Sequence, residues 1–399
     1  MLEWLLKVFP ALIPKERFLV VEILNKLVRA SFIKINFEKK ALEMVKVISQ
    51  KHELTDQAQI LKLVKRLLRQ FGKLTRYKII FSLDSLFATT IHASAVLARD
   101  KPKTPIDETD LDNRVAQGIW RLFDRGRGRA AQKMKVRDLD VLLTDVKVKR
   151  VKVDGHRLVN PLGFKAKTVE IQFIQTFCPG PFIAELKKII PAGQLTMLAE
   201  AGVPETDVIS RTVSVPNFLL LTLFSGQASV FLADGSSINH LATVSWGKEN
   251  LIKAIAQNFA VSTSVAEEIF ELYLIRQASQ AVLKRIEKLL LEQFGLLFAS
   301  VSKAVSKYKV ELIYILAFFN LPQFVFSQGL RRQLNLRARL LPAAHELIRD
   351  QLGFDIKFRR APNTTGMFSS LAALLEFYFS PHDDKINKIA RRHARWLIS

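Results

Sequence analysis

Residues 18–30 read FLVVEILNKLVRA, an apolar stretch broken by the polar pair Asn25-Lys26. Such a pattern predicts a buried β-strand, a tight turn and a second apolar strand. Glu22 lies inside the predicted first strand. Alone, the stretch predicts only a strand and a turn, and its meaning depends on the rest of the chain.

Composition limits the class of protein. The 399 residues are 49% hydrophobic, so a disordered chain is excluded and two or more domains are expected. The net charge of +23 favours anionic partners, namely nucleic acid, an anionic membrane surface or an acidic peptide. The single cysteine, Cys178, excludes an internal disulfide framework and is typical of a reducing cytoplasm. No apolar run has the length of a membrane-spanning helix, and no signal peptide is expected.

The first half of the chain predicts strands and helices, and those from Tyr77 to about Ile190 form a compact α+β insert. Residues 33–47 continue as a strand or strand pair, and 56–71 have helical spacing with a basic opposite face. Residues 77–87 and 89–96 are predicted to form a hairpin. The basic run 124–131 (DRGRGRAA) is expected to be a solvated loop. The remaining predicted elements are helices at 107–122 and 182–190 and strands at 138–153 and 168–177.

The second half predicts another sheet. Residues 218–224 and 312–319 are expected to be its central strands, and 217–233 a strand, a turn and a strand. Helices are expected at 248–259, through most of 265–307, and after residue 319 as far as Phe379. The seven histidines and Cys178 lack the spacing of metal ligands, and no catalytic motif is found, so neither a metal site nor an active site is expected.

The most specific string is Val153-Asp154-Gly155 followed by Asn160-Pro161-Leu162-Gly163-Phe164. It resembles the inserted subdomain of the bacterial cell-division actin homologue FtsA, and residues 18–30, 222–233 and 316–322 follow in that family's order. The resemblance implies an α/β, actin-like (ribonuclease H-like) two-domain fold with an inserted α+β subdomain of SHS2 type. The implied parts are 1–76 and 191–380 for the actin-like domains, 77–190 for the insert, about 248–307 for a helical subdomain, and 381–399 for a tail.

The resemblance also locates three loops that hold a nucleotide in the family, and all three are altered here. Where the first loop needs an Asp, a glycine and hydroxyls, this chain has Glu22, Leu24, Asn25 and Lys26. The second loop has an Asp and a glycine run beside hydroxyls in the family. Here its degenerate positions include Thr222, Ser225 and Gly226, of which only Gly226 allows close approach of the backbone to a ligand. The paired glycines of the adenosine turn become Phe318-Phe319, and both rings are expected to fill the space that a nucleotide base needs. We therefore expect a degenerate, empty site in a pseudo-ATPase that needs no cofactor; the alternative is an altered pocket that still binds ATP and Mg²⁺.

The tail from Lys385, KINKIARRHARWLIS, is predicted to be a basic amphipathic helix. FtsA-like proteins end in a membrane-targeting helix of this kind, and each cation near an anionic bilayer adds about 1 kcal/mol. The residues predicted to contact the membrane are Lys385, Ile386, Ile389, Arg391, Arg392, Arg395, Trp396 and Leu397. Packing of the tail on the body of the protein is an alternative, and residues 1–9 are a competing anchor.

The implied function is that of a cytoplasmic adaptor, peripheral on the inner face of the cell membrane, that links FtsZ-like filaments to the bilayer with help from avidity. Residues of the helical subdomain are candidates for binding an acidic partner peptide, namely Arg276, Lys284, Arg285 and Lys288. Self-association stays open. The rival functions are an actin-like ATPase with an altered pocket, in cell division or pilus assembly, and a basic nucleic-acid-binding protein, although nucleic acid is not the expected partner.

Overall fold

Three β-sheets with helices packed on them organise the chain, whose computed structural model describes residues 15–53, 56–235, 237–359, 365–379 and 385–398. The strands are β1 Glu16–Leu24, β2 Leu27–Asn36, β3 Ala41–Lys51, β4 Lys78–Leu83, β5 Thr89–Ala98, β6 Val141–Val153, β7 His156–Leu158, β8 Thr168–Pro179, β9 Leu195–Glu200, β10 Asn217–Leu223, β11 Ala228–Asp234, β12 Ser237–Val244, β13 Leu312–Ala317, β14 Arg339–Pro342 and β15 Asp355–Phe358. The helices are α1 Gln57–Arg69, α2 Glu108–Met134, α3 Gly180–Ile189, α4 Val203–Ser210, α5 Lys248–Phe259, α6 Thr263–Leu274, α7 Gln280–Ala304, α8 Gln328–Gln333, α9 His345–Leu352, α10 Met367–Phe379 and α11 Lys385–Ile398, with short 3-10 helices at Leu74–Arg76, Asp138–Asp140 and Gln323–Phe326.

The first sheet has the order β15-β3-β2-β1-β4-β9. β1 and β2 form the predicted hairpin, in which Leu24 pairs with Leu27 across a two-residue turn, and β4 runs parallel to β1 on its other side. Successive residues of β1 face opposite sides of the sheet, as period 2 requires. Phe18 and Val20 belong to one apolar core and Leu19 and Val21 to another, so β1 is a strand buried on both faces.

The second sheet has the order β12-β11-β10-β13-β14, which confirms β10 and β13 as interior strands. Phe218 and Leu220 of β10 share one core cluster with Phe18 and Val20 of β1, together with residues of α4 and α10. The two sheets therefore form two lobes that enclose a common layer of helices. β14 and β15 lie in a region where the sequence indicated helices only, because both strands are four residues long and show too few alternations to be recognised.

The third sheet, with the order β5-β8-β6-β7, belongs to an inserted subdomain on which α2 packs. The predicted hairpin of 77–87 and 89–96 is wrong, because β4 pairs with β1 and β9 in the first lobe whereas β5 pairs with β8. The chain thus leaves the first lobe between these two strands. Alternation identified both strands correctly but carries no information about their partners.

The basic run 124–131, expected to be a loop, lies within helix α2. Its glycines are required by packing. A Cβ at Gly126 would lie 2.9 Å from the Phe177 ring, and one at Gly118 only 2.6 Å from the Phe173 ring. These glycines let the helix lie close against the large aromatic side chains of β8, which outweighs their poor helix propensity.

The C-terminal helix α11 packs on the inserted subdomain. Ile389, Ala390 and Ala394 are buried in that subdomain's core, and Ile386 packs against it partly buried. The buried Asn387 side chain accepts a hydrogen bond from the Val148 N–H (2.7 Å) and donates one to the Val148 carbonyl (3.2 Å). It satisfies the backbone of β6 where β7 does not pair with that strand. The expectation that Ile386 and Ile389 face a bilayer is therefore wrong in this structure, since they face the protein.

We expect Asn387→Ala to weaken this docking. Its loss leaves both backbone groups of Val148 unpaired, so local opening of β6 should become easier by roughly 2–4 kcal/mol. Amide hydrogen exchange along 141–150 measures this, with Lys388→Ala, on the exposed side of the helix, as the control. Unchanged protection of the Val148 amide in Asn387→Ala would contradict the assigned role.

Candidate functional site

The cleft between the two lobes is filled at the first loop by the chain's own side chains. Leu24, at the end of β1, is 2% exposed and packs with Ala201 and Phe224, against which Leu27 and Phe318 also lie. Lys26, in the turn, takes a left-handed conformation with φ +56°. Leu24 thus contacts the second lobe at the point where the sequence predicted that it would obstruct a phosphate.

The second loop, residues 224–227, is closed by a hydrogen bond from the Phe224 N–H to the Gln227 carbonyl (2.9 Å) and contacts the first loop directly. The Gly226 N–H donates to Asn25 Oδ1 at 3.3 Å. Thr222 is buried within β10, and its hydroxyl has no hydrogen-bond partner among the described residues. Of the predicted second-loop residues, Gly226 and Ser225 therefore face the cleft and Thr222 does not reach it.

An ion pair joins the two loops. Lys26 Nζ lies 2.7 Å from Glu249 Oε1, at the start of α5, and 2.7 Å from Glu53 Oε2. Ser225 donates a hydrogen bond to the same Glu249 oxygen at 3.2 Å. These hydrogen bonds to Glu249 and Glu53 raise the pKa of Lys26. Burial opposes ionisation of Glu249, but the hydrogen bond and charge of Lys26, the hydrogen bond from Ser225 and the charge of Lys253 together outweigh burial and hold the pKa of Glu249 below its usual range.

Phe318 and Phe319, which follow β13 at the predicted adenosine turn, lie in different environments. Phe318 stacks on Phe224 with ring centroids 5.0 Å apart, and it occupies the cleft as expected. Phe319 is instead buried in the core of the second lobe, which corrects the expectation that both rings fill the space of a base. A depression of about 250 Å³ remains beside it, and Asn320, His345 and Gly366 are among its lining residues. This volume is below the range of about 300–1,000 Å³ that is typical of ligand pockets.

Glu22, which matches the magnesium-ordering acid of the family, is part of a buried ion pair. Arg29 Nε and Nη2 donate to the two Glu22 carboxylate oxygens at 2.5 and 2.8 Å, and Ser370 donates to one of the same oxygens. The exposed fraction is 0% for the Glu22 side chain and 3% for Arg29. The acid is therefore used to neutralise an arginine inside the protein.

Arg29 also holds the start of α10 in place. Its Nη2 donates to the Gly366 carbonyl at 2.6 Å, and its guanidinium carbon lies 5.0 Å from the Phe318 ring centroid. Gly366 has φ +71°, and a Cβ there would lie 2.8 Å from the Phe318 ring. The sequence analysis missed the role of Arg29. The signal was available, because Glu22 and Arg29 are equidistant from a two-residue hairpin turn and so pair across the strands.

Two more buried acids lie near the cleft, and sequence reasoning found neither. Asp84, just after β4, accepts hydrogen bonds from the Leu86 N–H (3.0 Å) and from Gln227 Nε2 (3.0 Å), a further link between the lobes. Burial raises the pKa of Asp84 to about 6. Burial likewise raises the pKa of Glu205, which accepts from the Gly202 N–H at 2.7 Å, to about 7.

A groove in the helical subdomain contains two of the four predicted partner-binding residues. Arg276 and Lys284 line a 460 Å³ groove together with Ile275, Glu287 and Phe324. The other two residues lie elsewhere. Arg285 donates to Asn258 Oδ1 at 2.6 Å and lies over the Phe259 ring, so it fastens α7 to α5. Lys288 is exposed on α7 and is not among the residues that line the groove.

The basic residues of α11 make ion pairs with the inserted subdomain. Lys385 pairs with Glu108 and Arg392 with Asp112, both on α2, and Arg391 lies 3.8 Å from Asp145. The side chains of Arg395, Trp396 and Leu397, like the proposed anchor at residues 1–9 and the linker at 380–384, lie outside the described residues, so their membrane contact stays a prediction. Within the described ranges, no helix is long and apolar enough to cross a membrane, and no group of acids, histidines or cysteine could hold a metal.

The two lobes, the cleft between them and the insert in the first lobe define an actin-like protein, as the resemblance implied. No family model and no curated protein matches the sequence. Among solved structures, the chain is similar to one described as the PilM-PilN type IV pilus biogenesis complex, with a TM-score of 0.56 and 15% identity over 91% of this chain and 99% of that one. At this identity the similarity establishes the fold alone.

Other solved structures match less well. A ROK family glucokinase from Streptomyces griseus, in complex with glucose and AMPPNP, has a TM-score of 0.46 and 9% identity over 90% of this chain and 98% of that one. The ethanolamine utilization protein EutJ from Carboxydothermus hydrogenoformans has a TM-score of 0.40 and 9% identity, with 91% and 90% covered.

The buried ion pair at the cleft yields a prediction. Arg29→Met leaves Glu22 buried without a cationic partner and should lower the free energy of unfolding by about 3–5 kcal/mol. The double variant Glu22→Leu/Arg29→Met should recover most of that loss, because it removes both charges. Denaturant titration of each variant measures the effect.

The control is Arg349→Met, which breaks the exposed pair with Asp350 and should leave the stability nearly unchanged. A double variant as unstable as Arg29→Met would show that the ion pair does more than neutralise charge.

Proposed function

We propose that this protein is an adaptor without ATP hydrolysis. It uses the actin-like fold as a rigid scaffold and assembles with a membrane-anchored partner at the cytoplasmic face of a membrane-bound machine. The scaffold role concerns the cleft, and the adaptor role concerns the partner. Each rests on a different observation and is tested separately.

The observation that carries the proposal is the filled cleft. Leu24, Phe224 and Phe318 form one apolar contact across it, and the Lys26–Glu249 pair closes the space between the two phosphate-loop positions. A nucleotide would have to displace these side chains and separate the pair before its phosphates could reach the backbone. Its apparent affinity would fall by the cost of that opening.

The choice of a partner within a larger assembly is supported by similarity. One similar solved structure, with a TM-score of 0.56, is described as the PilM-PilN type IV pilus biogenesis complex. The alignment covers 99% of that chain, so the similarity extends over nearly all of it. A pilus-type assembly is therefore the setting that we favour.

Nucleotide titration tests the scaffold role. We expect calorimetry with MgATP at about 1 mM to show no saturable binding, and the unfolding temperature to stay constant, because a ligand that binds the folded state must raise it. A nucleotide-binding actin-like protein titrated in parallel is the positive control. Magnesium-dependent, saturable ATP binding would overturn the proposal and support the altered-pocket ATPase.

The groove between α6 and α7 favours a second candidate, the division adaptor that binds an FtsZ-like filament. Arg276 and Lys284 line this groove beside apolar residues such as Ile275, which is 62% exposed. Cations next to exposed apolar surface suit an acidic peptide with hydrophobic anchors. The groove also contains Glu287, which would repel the acids of such a peptide, so we place this candidate second.

Fluorescence anisotropy with a labelled acidic C-terminal peptide of an FtsZ-like protein tests this second candidate. If it is correct, Arg276→Glu/Lys284→Glu should reduce affinity at least about tenfold, since two attractive charges become repulsive. Lys303→Glu/Lys307→Glu, with the same charge change on exposed positions nearby, should have little effect. Equal affinity of all three proteins would exclude the groove as the peptide site.

A further inference from the structure

The end of the inserted subdomain at which α2 begins is built from two chain segments, 99–106 and 153–168, which we call the tip. Backbone hydrogen bonds hold the segments together, from the Arg99 N–H to the Lys167 carbonyl (2.8 Å) and from the Ile106 N–H to the Phe164 carbonyl (2.9 Å). The Asp154 N–H also donates to the Thr168 carbonyl at 3.1 Å. The backbone of the two segments therefore forms one defined surface from which their side chains project.

Two large apolar side chains of the tip lie in solvent. Val159 is 97% exposed and Phe164 is 48% exposed. They are five residues apart in a connection that turns at Gly163, which has φ +84°. Isolated exposed apolar residues are common, but a pair on a single turn inside a basic surface is a frequent sign of an interaction site.

Five exposed cations lie in the same two segments as this apolar pair, and none of them forms an ion pair with a residue that the structure describes. They are Lys101, Lys103, Arg157, Lys165 and Lys167. The nearby acids are engaged: Asp100 pairs with Arg114, and Asp154 accepts hydrogen bonds from the Thr168 and Lys167 N–H groups. Those backbone bonds, with the Lys167 charge, hold the pKa of Asp154 below its usual range, so Asp154 contributes one negative charge among the five cations.

We propose that the tip is a membrane-docking surface, with Val159 and Phe164 inserted into the headgroup region of an anionic bilayer and the five cations contacting lipid phosphates. The inference deepens the proposed adaptor function, since it supplies a membrane contact that belongs to the chain itself. Apolar side chains together with cations have the composition of an interfacial anchor. Nucleic acid would attract the cations equally, but the phosphate backbone that they would contact offers an aliphatic side chain such as Val159 no apolar environment.

The position of α11 is consistent with this assignment. Lys385 pairs with Glu108 in the first turn of α2, which directly follows the 99–106 segment of the tip. The exposed Lys388 lies on the same side and extends the basic surface. The C-terminal helix thus adds charge beside the tip while its own apolar residues up to Ala394 are occupied by the inserted subdomain.

Vesicle co-sedimentation of the full chain tests the proposal. The probes are vesicles with about 30% phosphatidylglycerol in phosphatidylcholine, and vesicles of phosphatidylcholine alone. Lys101→Glu/Lys103→Glu should weaken binding to the anionic vesicles by about twentyfold or more, at roughly fivefold for each lost cation. The matched control is Lys62→Glu/Lys65→Glu on α1, which changes the net charge equally at exposed positions.

The apolar contact is tested separately. Val159→Ser/Phe164→Ser should lower vesicle affinity about tenfold, because less apolar area enters the bilayer. Leu139→Ser/Leu296→Ser, which removes two exposed leucines outside the tip, should leave affinity unchanged. A charge variant that loses affinity no more than its control, or a serine variant that binds like the wild type, would overturn membrane docking.

Binding of a short DNA duplex to the wild type and to the charge variant tests whether the tip binds nucleic acid instead. Salt-dependent DNA binding that falls in Lys101→Glu/Lys103→Glu, without vesicle binding by the wild type, would assign the tip to nucleic acid and overturn the membrane proposal. None of these assays contains nucleotide or protein partner. Failure of the tip proposal therefore leaves the adaptor function to its own tests, and ATP binding would not alter the vesicle result.

Discussion

Arg29 lies where four elements of the molecule meet. From β2 it pairs with Glu22 of β1, donates to the Gly366 carbonyl before α10, and lies over Phe318 after β13. A buried guanidinium is costly unless its donors and its charge are satisfied, so the position of each partner is constrained by the others. Glu22 supplies the charge, the Thr365 carbonyl accepts from Nη1, and the Gly366 carbonyl accepts from Nη2, which also donates to the carboxylate. The contacts of this one side chain fix the position of the β1–β2 hairpin relative to helix α10.

The closed cleft depends more on apolar contact than on its ion pair. Lys26 and Glu249 are about one-third exposed, and pairs of this kind contribute at most about 1 kcal/mol. The stack of Phe318 on Phe224, by contrast, adds about 0.5–1.5 kcal/mol beyond the burial of both rings. The lobes also share a core that runs from Phe18 to Phe218, so separating them would expose far more apolar surface than the cleft contains. These magnitudes favour a cleft that stays shut, which is the property a scaffold requires.

The sequence predicted the secondary-structure elements more reliably than the contacts between them. Alternation and apolar runs identified the hairpin at 18–30 and the central strands β10 and β13, because burial on both faces leaves a clear pattern. The prediction from sequence patterns failed where the contact that determines the structure joins residues distant in sequence. The glycines of 124–131 suggested a loop, whereas Gly126 lies in a helix because the Phe177 ring leaves no room for a side chain there. The place of β4 in the first lobe follows only from its pairing with β1. At the cleft, the loss of glycines and acids was readable from the loops themselves. The contacts that replaced them, Arg29 with Glu22 and Gln227 with Asp84, require either strand register or the fold.

The same limit applies to the C-terminal helix. An apolar face with a basic border has one pattern whether it meets a bilayer or a protein, and in this structure Ile389 and Ala390 meet the inserted subdomain. Asn387 argues for the protein contact, because an amide that bonds both backbone groups of Val148 gains nothing from lipid. Burial therefore ranks candidate membrane contacts better than periodicity does. Apolar side chains already packed against the chain have little left to gain from a bilayer. Val159, which is 97% exposed, retains nearly all of that gain, and Phe164, which is 48% exposed, retains about half of it.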